Sequence, residues 1–271
     1  EMTAGSDLDL MTLYRPAAPD TTSSTKGWSA ETFYSRFTQR LVAALSAPTA
    51  EGQLYEVDLQ LRPSGTQGPV AVSFNAFTGY YGGEAETWEF LAMTRARVVW
   101  ATSDDFRHEA EAAIDRALRQ PRDRAAQARD VLEMRDLMTR ERPPHGFWDL
   151  KLSEGGLVDI EFAAQHLQLA AASAGGPLRQ NTLAALEALG EAGLAPSERL
   201  AALIDAWRLQ QNLSQLLKVA LQDGADPSEE PAALKSLLAK AGGARDFKAL
   251  RRRIETTREA AHAAFLDTLK A

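Results

Sequence analysis

The 271-residue sequence contains no cysteine, which removes disulfides, thiolate zinc sites and cysteine nucleophiles from consideration. It has no apolar run near the ~18 residues that a membrane helix needs, and its first residues lack the basic-then-apolar order of a signal peptide. Positive charge is in short supply: 30 Lys and Arg against 37 Asp and Glu leave a net charge of −7. That is the reverse of the basic footprint of a general nucleic-acid binder. The cytoplasm is therefore the default location, with neither nucleic acid nor membrane expected as a partner. With 45% hydrophobic and 25% charged residues, the composition is that of ordinary soluble protein. The length allows a sizeable core in one large or two modest domains.

What is present begins with Gly5-Ser6-Asp7-Leu8-Asp9-Leu10. In a strand, alternate side chains share a face, so Asp7 and Asp9 would stand together at the surface while Leu8 and Leu10 enter a core. Two carboxylates that close repel unless one is protonated or a cation lies between them. A second alternating stretch, Glu56-Val57-Asp58-Leu59-Gln60-Leu61-Arg62-Pro63, would bring Asp58 to the same polar face, with Arg62 beyond it, before Pro63 ends the strand. Three carboxylates around one point outline a metal-dependent phosphoryl- or nucleotidyl-transfer site. The plainer alternative is a pair of strands with an acidic, solvated face.

Glu1–Leu10, Tyr55–Gly65 (Tyr-Glu-Val-Asp-Leu-Gln-Leu-Arg-Pro-Ser-Gly), Thr87–Val99 and the segment Asp149-Leu150-Lys151 to Glu161-Phe162 occur in order. Together they resemble the glutamine synthetase adenylyltransferases, bifunctional bacterial nitrogen-regulation enzymes with two similar halves. The Arg-Pro-Ser-Gly turn and the Thr94-Arg95-Ala96-Arg97 run are closer to the C-terminal, AMP-transferring half. The resemblance implies an α+β fold: a DNA-polymerase-β-like nucleotidyltransferase domain over 1–103, then an α-helical bundle domain over 104–271. It implies Mg2+, with Mn2+ as a possible substitute, and ATP as substrate. Glutamine synthetase, the PII signal protein and the other half of the enzyme are the implied partners. Asp7, Asp9 and Asp58 become the catalytic metal ligands, and Gly5, Ser6, Arg62, Ser64, Gly65, Arg95 and Lys151 the nucleotide-binding residues. Arg97, Asp159 and Glu161 would line the site. In that superfamily the turn that grips the phosphates lies further upstream of the first Asp than Gly5-Ser6 does. The alternatives are the adenylyl-removing half and a non-catalytic platform that binds PII.

Along the rest of the chain, Ser29 is placed to cap a helix over 30–46 whose Phe33, Phe37, Leu41 and Leu45 form one apolar stripe, expected to be core. Strands are expected over about 7–14, 54–62 and 70–74, and a short helix over 76–81. Val98-Val99-Trp100 reads as a strand or a buried helix end. From Asp104 onward helices are expected at 104–119, 123–141, 157–173, 179–193, 196–222, 231–241 and 246–270, punctuated by Pro and Gly. Gly155-Gly156, opening one of these, would leave free N–H groups for an anion beside Lys151. His145 and His166 have no second ligand at metal spacing and are read as structural.

Overall fold

The computed structural model describes residues 2, 6–24, 26–52, 55–222 and 225–270. Among the described residues the elements are β1 (Leu8–Asp9), β2 (Thr12–Tyr14), α1 (Ala30–Leu45), β3 (Val57–Asp58), β4 (Ala71–Ser73), α2 (Phe74–Tyr80), α3 (Thr87–Met93) and α4 (Asp104–Leu118). They continue with α5 (Arg124–Glu141), α6 (Leu157–Ala172), α7 (Thr182–Glu191), α8 (Ser197–Ala220), α9 (Ala232–Ala241) and α10 (Phe247–Lys270). The fold is thus mixed and mainly helical, with two small parallel strand pairs. No described helix is long and apolar enough to cross a membrane.

The opening segment serves both strand pairs. β1 runs parallel to β3 with Leu8 opposite Val57 and Asp9 opposite Asp58. A few residues later β2 runs parallel to β4, Thr12 to Tyr14 facing Ala71 to Ser73. Parallel strands need a crossover, and α1 supplies it between β2 and β3. The strands are shorter than the alternation predicts. Asp58 ends β3 itself, its Oδ1 accepting the N–H of Gln60 at 2.6 Å, a local bond that competes with the ladder.

Helix α1 forms where expected, with the Ser29 hydroxyl accepting the Thr32 N–H, but it lies the other way round. Phe33, Phe37, Leu41 and Leu45 are 38–47% exposed. The inner face is Tyr34, Thr38 and Val42, with Thr38 fully buried and the Tyr34 ring stacked on Tyr14 at 4.6 Å between centroids. The expectation that the Phe/Leu stripe is core is therefore corrected. The tyrosine stack orients the helix, and the short strands beneath it have room for only one narrow face.

Val98-Val99-Trp100 is also corrected. This stretch is irregular, with Val99 and Trp100 both 72% exposed. Side chains hold its carbonyls in place of a ladder: Arg107 donates to Val98 O (2.6 Å) and Gln180 to Ala96 O (3.0 Å).

All seven helices expected after residue 103 form, with ends that differ by up to three residues. At their centre is α6, with twelve of its sixteen residues buried, the pattern of a helix enclosed on every side. It packs against α3, α5, α7, α8 and α10. One apolar cluster joins Val72, Phe77 and Phe90 to Ala113, Ile160, Leu203, Trp207 and Phe265, so it runs across the irregular stretch between α3 and α4. A second gathers Leu150, Leu213, Leu238, Leu250 and Ile254 beneath the segment that leads into α6. His166 is buried on α6 beside Gln127 (2.9 Å), and burial lowers its pKa to about 4, so it is neutral at pH 7.

The exposed stripe of α1 gives a direct test of its orientation. Phe37→Ala should change the stability of this chain by less than ~1 kcal/mol, against ~3–5 kcal/mol for a phenylalanine in a core. Urea unfolding of the two proteins measures the difference.

Candidate functional site

The site begins with the β1–β3 register. Residues opposite one another in a ladder point to the same face, so Asp9 and Asp58 stand side by side, and Asp7 lies just before β1. The backbone bonds that hold this arrangement run from Leu8 N to Glu56 O (2.8 Å) and from Leu10 N to Asp58 O (2.9 Å). The pKa of Asp9 is raised, first by the protein that crowds it and then by the negative charges of Asp58 and Asp7. Arg95 and Lys151 act on it in the opposite sense. Three acids and two bases, drawn from residues 7 to 151, therefore meet electrostatically at one carboxylate.

The acids are not gathered into a ligand set. Among the described residues no three or more Asp, Glu or His side chains are arranged as they would be around a metal ion. One oxygen of Asp58 is turned to the Gln60 N–H.

The two cations come from outside the strands. Arg95 follows α3 and pairs with Glu161 on α6, Nη1 to Oε1, at 3.2 Å. Lys151 is exposed on a turn that precedes α6. Arg97 is exposed on the irregular stretch after α3 and is not among the charges acting on Asp9. Ser6 is half-buried beside Asp7. Gly5 lies outside the described residues.

Four expectations change. Arg62 is only 8% exposed and does not face the carboxylates. Because β3 stops at Asp58, the alternation that would have carried Arg62 to the acidic face is broken. Its guanidinium instead donates to Leu59 O (2.6 Å), Pro69 O (3.1 Å) and Gly68 O (3.3 Å), closing the turn. Within that turn Ser64 and Gly65 both have left-handed backbone. The turn's amides are used internally, Gly65 N to Arg62 O and Gln67 N to Ser64 O, rather than presented to a phosphate. A depression of about 290 Å³ on this flank, lined by Pro63, Ser64, Pro69 and Tyr80 among others, includes none of the three carboxylates.

Asp159 does not line the site. It is fully buried and bound to the Arg135 guanidinium, to His262 Nδ1 (2.8 Å) and to the Gly155 N–H (2.7 Å). The anion expected at the N-terminus of α6 is thus the carboxylate of Asp159 itself. The neighbouring amides are also taken: Gly156 N to Ser153 O, Leu157 N to Leu150 O and Val158 N to Lys151 O. Gly155 is there for a close approach as well as a positive φ of 68°, since a Cβ would meet Arg258 O at 2.0 Å.

The residues that hold this segment escaped the sequence reading. Arg135 donates to Leu152 O (2.8 Å), Arg258 to Phe147 O (2.8 Å) and Asp149 O (2.9 Å), and Gln210 to Gly155 O (2.8 Å). The signal available was the Gly-Gly pair, which marks close backbone contact as readily as an anion site.

Residues 1–113 match the family profile described as glutamate-ammonia ligase adenylyltransferase, an enzyme class that transfers nucleotidyl groups. Residues 130–268 match the profile described as GlnD PII-uridylyltransferase. The chain is 64% identical over 270 residues to the bifunctional glutamine synthetase adenylyltransferase/adenylyl-removing enzyme of Caulobacter vibrioides, covering 100% of this chain and 27% of that protein. The enzyme of the same name in Rhizobium meliloti is 47% identical over 89% of this chain and 25% of its own length. That of Agrobacterium fabrum is 40% identical over 100% and 28%. The chain belongs to the glutamine synthetase adenylyltransferase/adenylyl-removing enzyme family, and it spans about a quarter of the length of these curated relatives.

The raised pKa of Asp9 has a measurable consequence. The folded chain binds that proton more tightly than the unfolded chain, so stability is lost as pH rises from the ordinary carboxylate value of 3.8 through the raised one. In metal-free buffer at pH 7, Asp9→Asn should melt at a higher temperature than the parent. The gain should shrink as the pH is lowered through that window. Calorimetric scans across pH check both the sign and the trend.

Proposed function

We propose that this chain is a Mg2+-dependent nucleotidyltransferase of DNA-polymerase-β-like arrangement, moving AMP from ATP to a tyrosine hydroxyl of glutamine synthetase. The observation that carries this reading is the pairing of Asp9 with Asp58, where the charges of Asp7, Arg95 and Lys151 also act on Asp9. The donor set suits a hard cation, being all carboxylate oxygen, and the mutual repulsion felt by Asp9 is of the kind a cation relieves.

Asp7, Asp9 and Asp58 would hold Mg2+, for which Mn2+ can substitute. When bound, the metal supplies positive charge against the triphosphate. Arg95 and Lys151 draw the phosphates over the acidic face and carry part of the charge that grows on the leaving pyrophosphate. The tyrosine oxygen attacks the α-phosphorus in line as the bond to the α–β bridging oxygen breaks. Asp58 takes up the hydroxyl proton. Arg62 acts indirectly, by fixing the turn that follows Asp58.

The relatives' shared name also includes the reverse activity. In that direction orthophosphate attacks the phosphorus of AMP-tyrosine, the bond to the tyrosine oxygen breaks, and ADP and the free tyrosine hydroxyl are the products. Glutamine synthetase carrying labelled AMP, incubated with phosphate, separates the two directions by whether label is released. The match of residues 130–268 to a PII-uridylyltransferase profile supports PII as a partner of the helical region. The remainder of the whole enzyme is then the other expected partner. That same match, and the absence of a gathered ligand set among the described residues, support the alternative of a non-catalytic platform.

Asp7→Asn and Asp58→Asn should each lower AMP transfer by at least about 100-fold, the scale for loss of a group that acts only in the transition state. Both should leave the melting temperature near that of the parent. Near-normal transfer by either variant would reject the assigned roles. A failure of ATP with Mg2+ to raise the melting temperature would favour the platform.

A further inference from the structure

Resting on the nucleotidyl-transfer reading, we infer that α6 is the positioning element of the site, Glu161 holding Arg95 and Asp159 holding the Lys151 segment over the carboxylate face. Neither cation belongs to the strand–helix–strand unit that carries the acids. Each sits on a stretch without regular structure, one after α3 and one before α6. Left to themselves, long basic side chains on irregular backbone would sample many positions, and ordering them on arrival of a nucleotide would weaken binding.

The first two turns of α6 remove that freedom twice. Residues two apart on a helix project about 200° from one another, so Asp159 and Glu161 serve opposite sides. Glu161 faces outward and meets the Arg95 guanidinium at 3.2 Å. Asp159 faces inward, where Arg135, His262 and the Gly155 amide all bind it. Through Arg135 the same node also grips Leu152 O, one residue from Lys151.

A second anchor comes from Asp149, whose Oδ1 accepts the N–H groups of Lys151 (3.1 Å) and Leu152 (2.8 Å). Arg258 holds the Asp149 carbonyl in turn. The base of Lys151 is therefore fixed while its side chain stays exposed. α6 can act as the reference for both cations because it is enclosed by five other helices.

Neither acid touches the nucleotide in this account. Their effect passes through the cations, which a double-mutant cycle can detect. The experiment measures ATP affinity by calorimetry in a chelating buffer, so that neither metal nor turnover enters, and in parallel kcat and KM for AMP transfer. Glu161→Gln should weaken ATP binding about five- to tenfold, with little change in melting temperature because the pair is partly exposed. In the Arg95→Gln background the same Glu161→Gln change should add almost nothing.

Asp159→Asn should show the same dependence on Lys151→Gln. If Asp159→Asn fails to fold, the Glu161 cycle decides the matter by itself. Additive losses in that cycle, or unchanged ATP affinity in Glu161→Gln, overturn the inference. An active parent with additive cycles refutes only the positioning role. A parent that neither binds ATP nor transfers AMP in either direction refutes the underlying function and the inference with it.

Discussion

The parallel pairing of Leu8–Asp9 with Val57–Asp58 is the constraint on which the rest depends. A ladder fixes which side chains share a face, and here it brings together two carboxylates that water would otherwise keep apart. Crowding by the protein, and then the repulsion between these acids, raises the proton affinity of Asp9. Folding alone does not reward such an arrangement, since the ionised acid destabilises the chain at neutral pH. Strain of this kind collects where a protein handles charge.

The helical region answers that negative charge with positive charge supplied from a distance. The segment from Phe147 to Gly156 is bound by Arg135, Gln210 and Arg258, from three different helices, while Asp159 binds its Gly155 amide. Arg135 and Asp159 form a buried ion pair, and losing Arg135 would leave the Asp159 carboxylate with only His262 and the Gly155 amide as partners. A segment so tied has little freedom of its own, and Lys151 is carried on it. One family profile covers residues 1–113, which include the acidic strands, and another covers 130–268, which include α6.

Much of this was legible in the sequence. The helices after Asp104 announce themselves through Ala and Leu periodicity cut by Pro and Gly, and every one of them forms. Alternation located the strands and paired Asp9 with Asp58, because period-two patterning is a local property. What could not be read locally went wrong. The Phe33–Leu45 stripe has helical spacing whether it faces protein or solvent, and the Tyr14–Tyr34 stack, joining residues twenty apart, chose solvent. Arg62 fell off the acidic face because the Asp58–Gln60 bond ended the strand early. Asp159 looked like an acid at a site and is a buried strut. Its partners Arg135 and His262 lie 24 and 103 residues away, beyond any spacing rule.

The central claim is that these three acids hold metal together while a nucleotide is bound. Crystals of the chain with a non-hydrolysable ATP analogue and Mn2+, measured at the manganese absorption edge, test it most directly. The account predicts anomalous density within about 2.0–2.3 Å of carboxylate oxygens of Asp7, Asp9 and Asp58, the range for a hard cation on oxygen ligands, with phosphate oxygens completing the shell. Manganese bound elsewhere, or nucleotide seated with no metal at these acids, would contradict it.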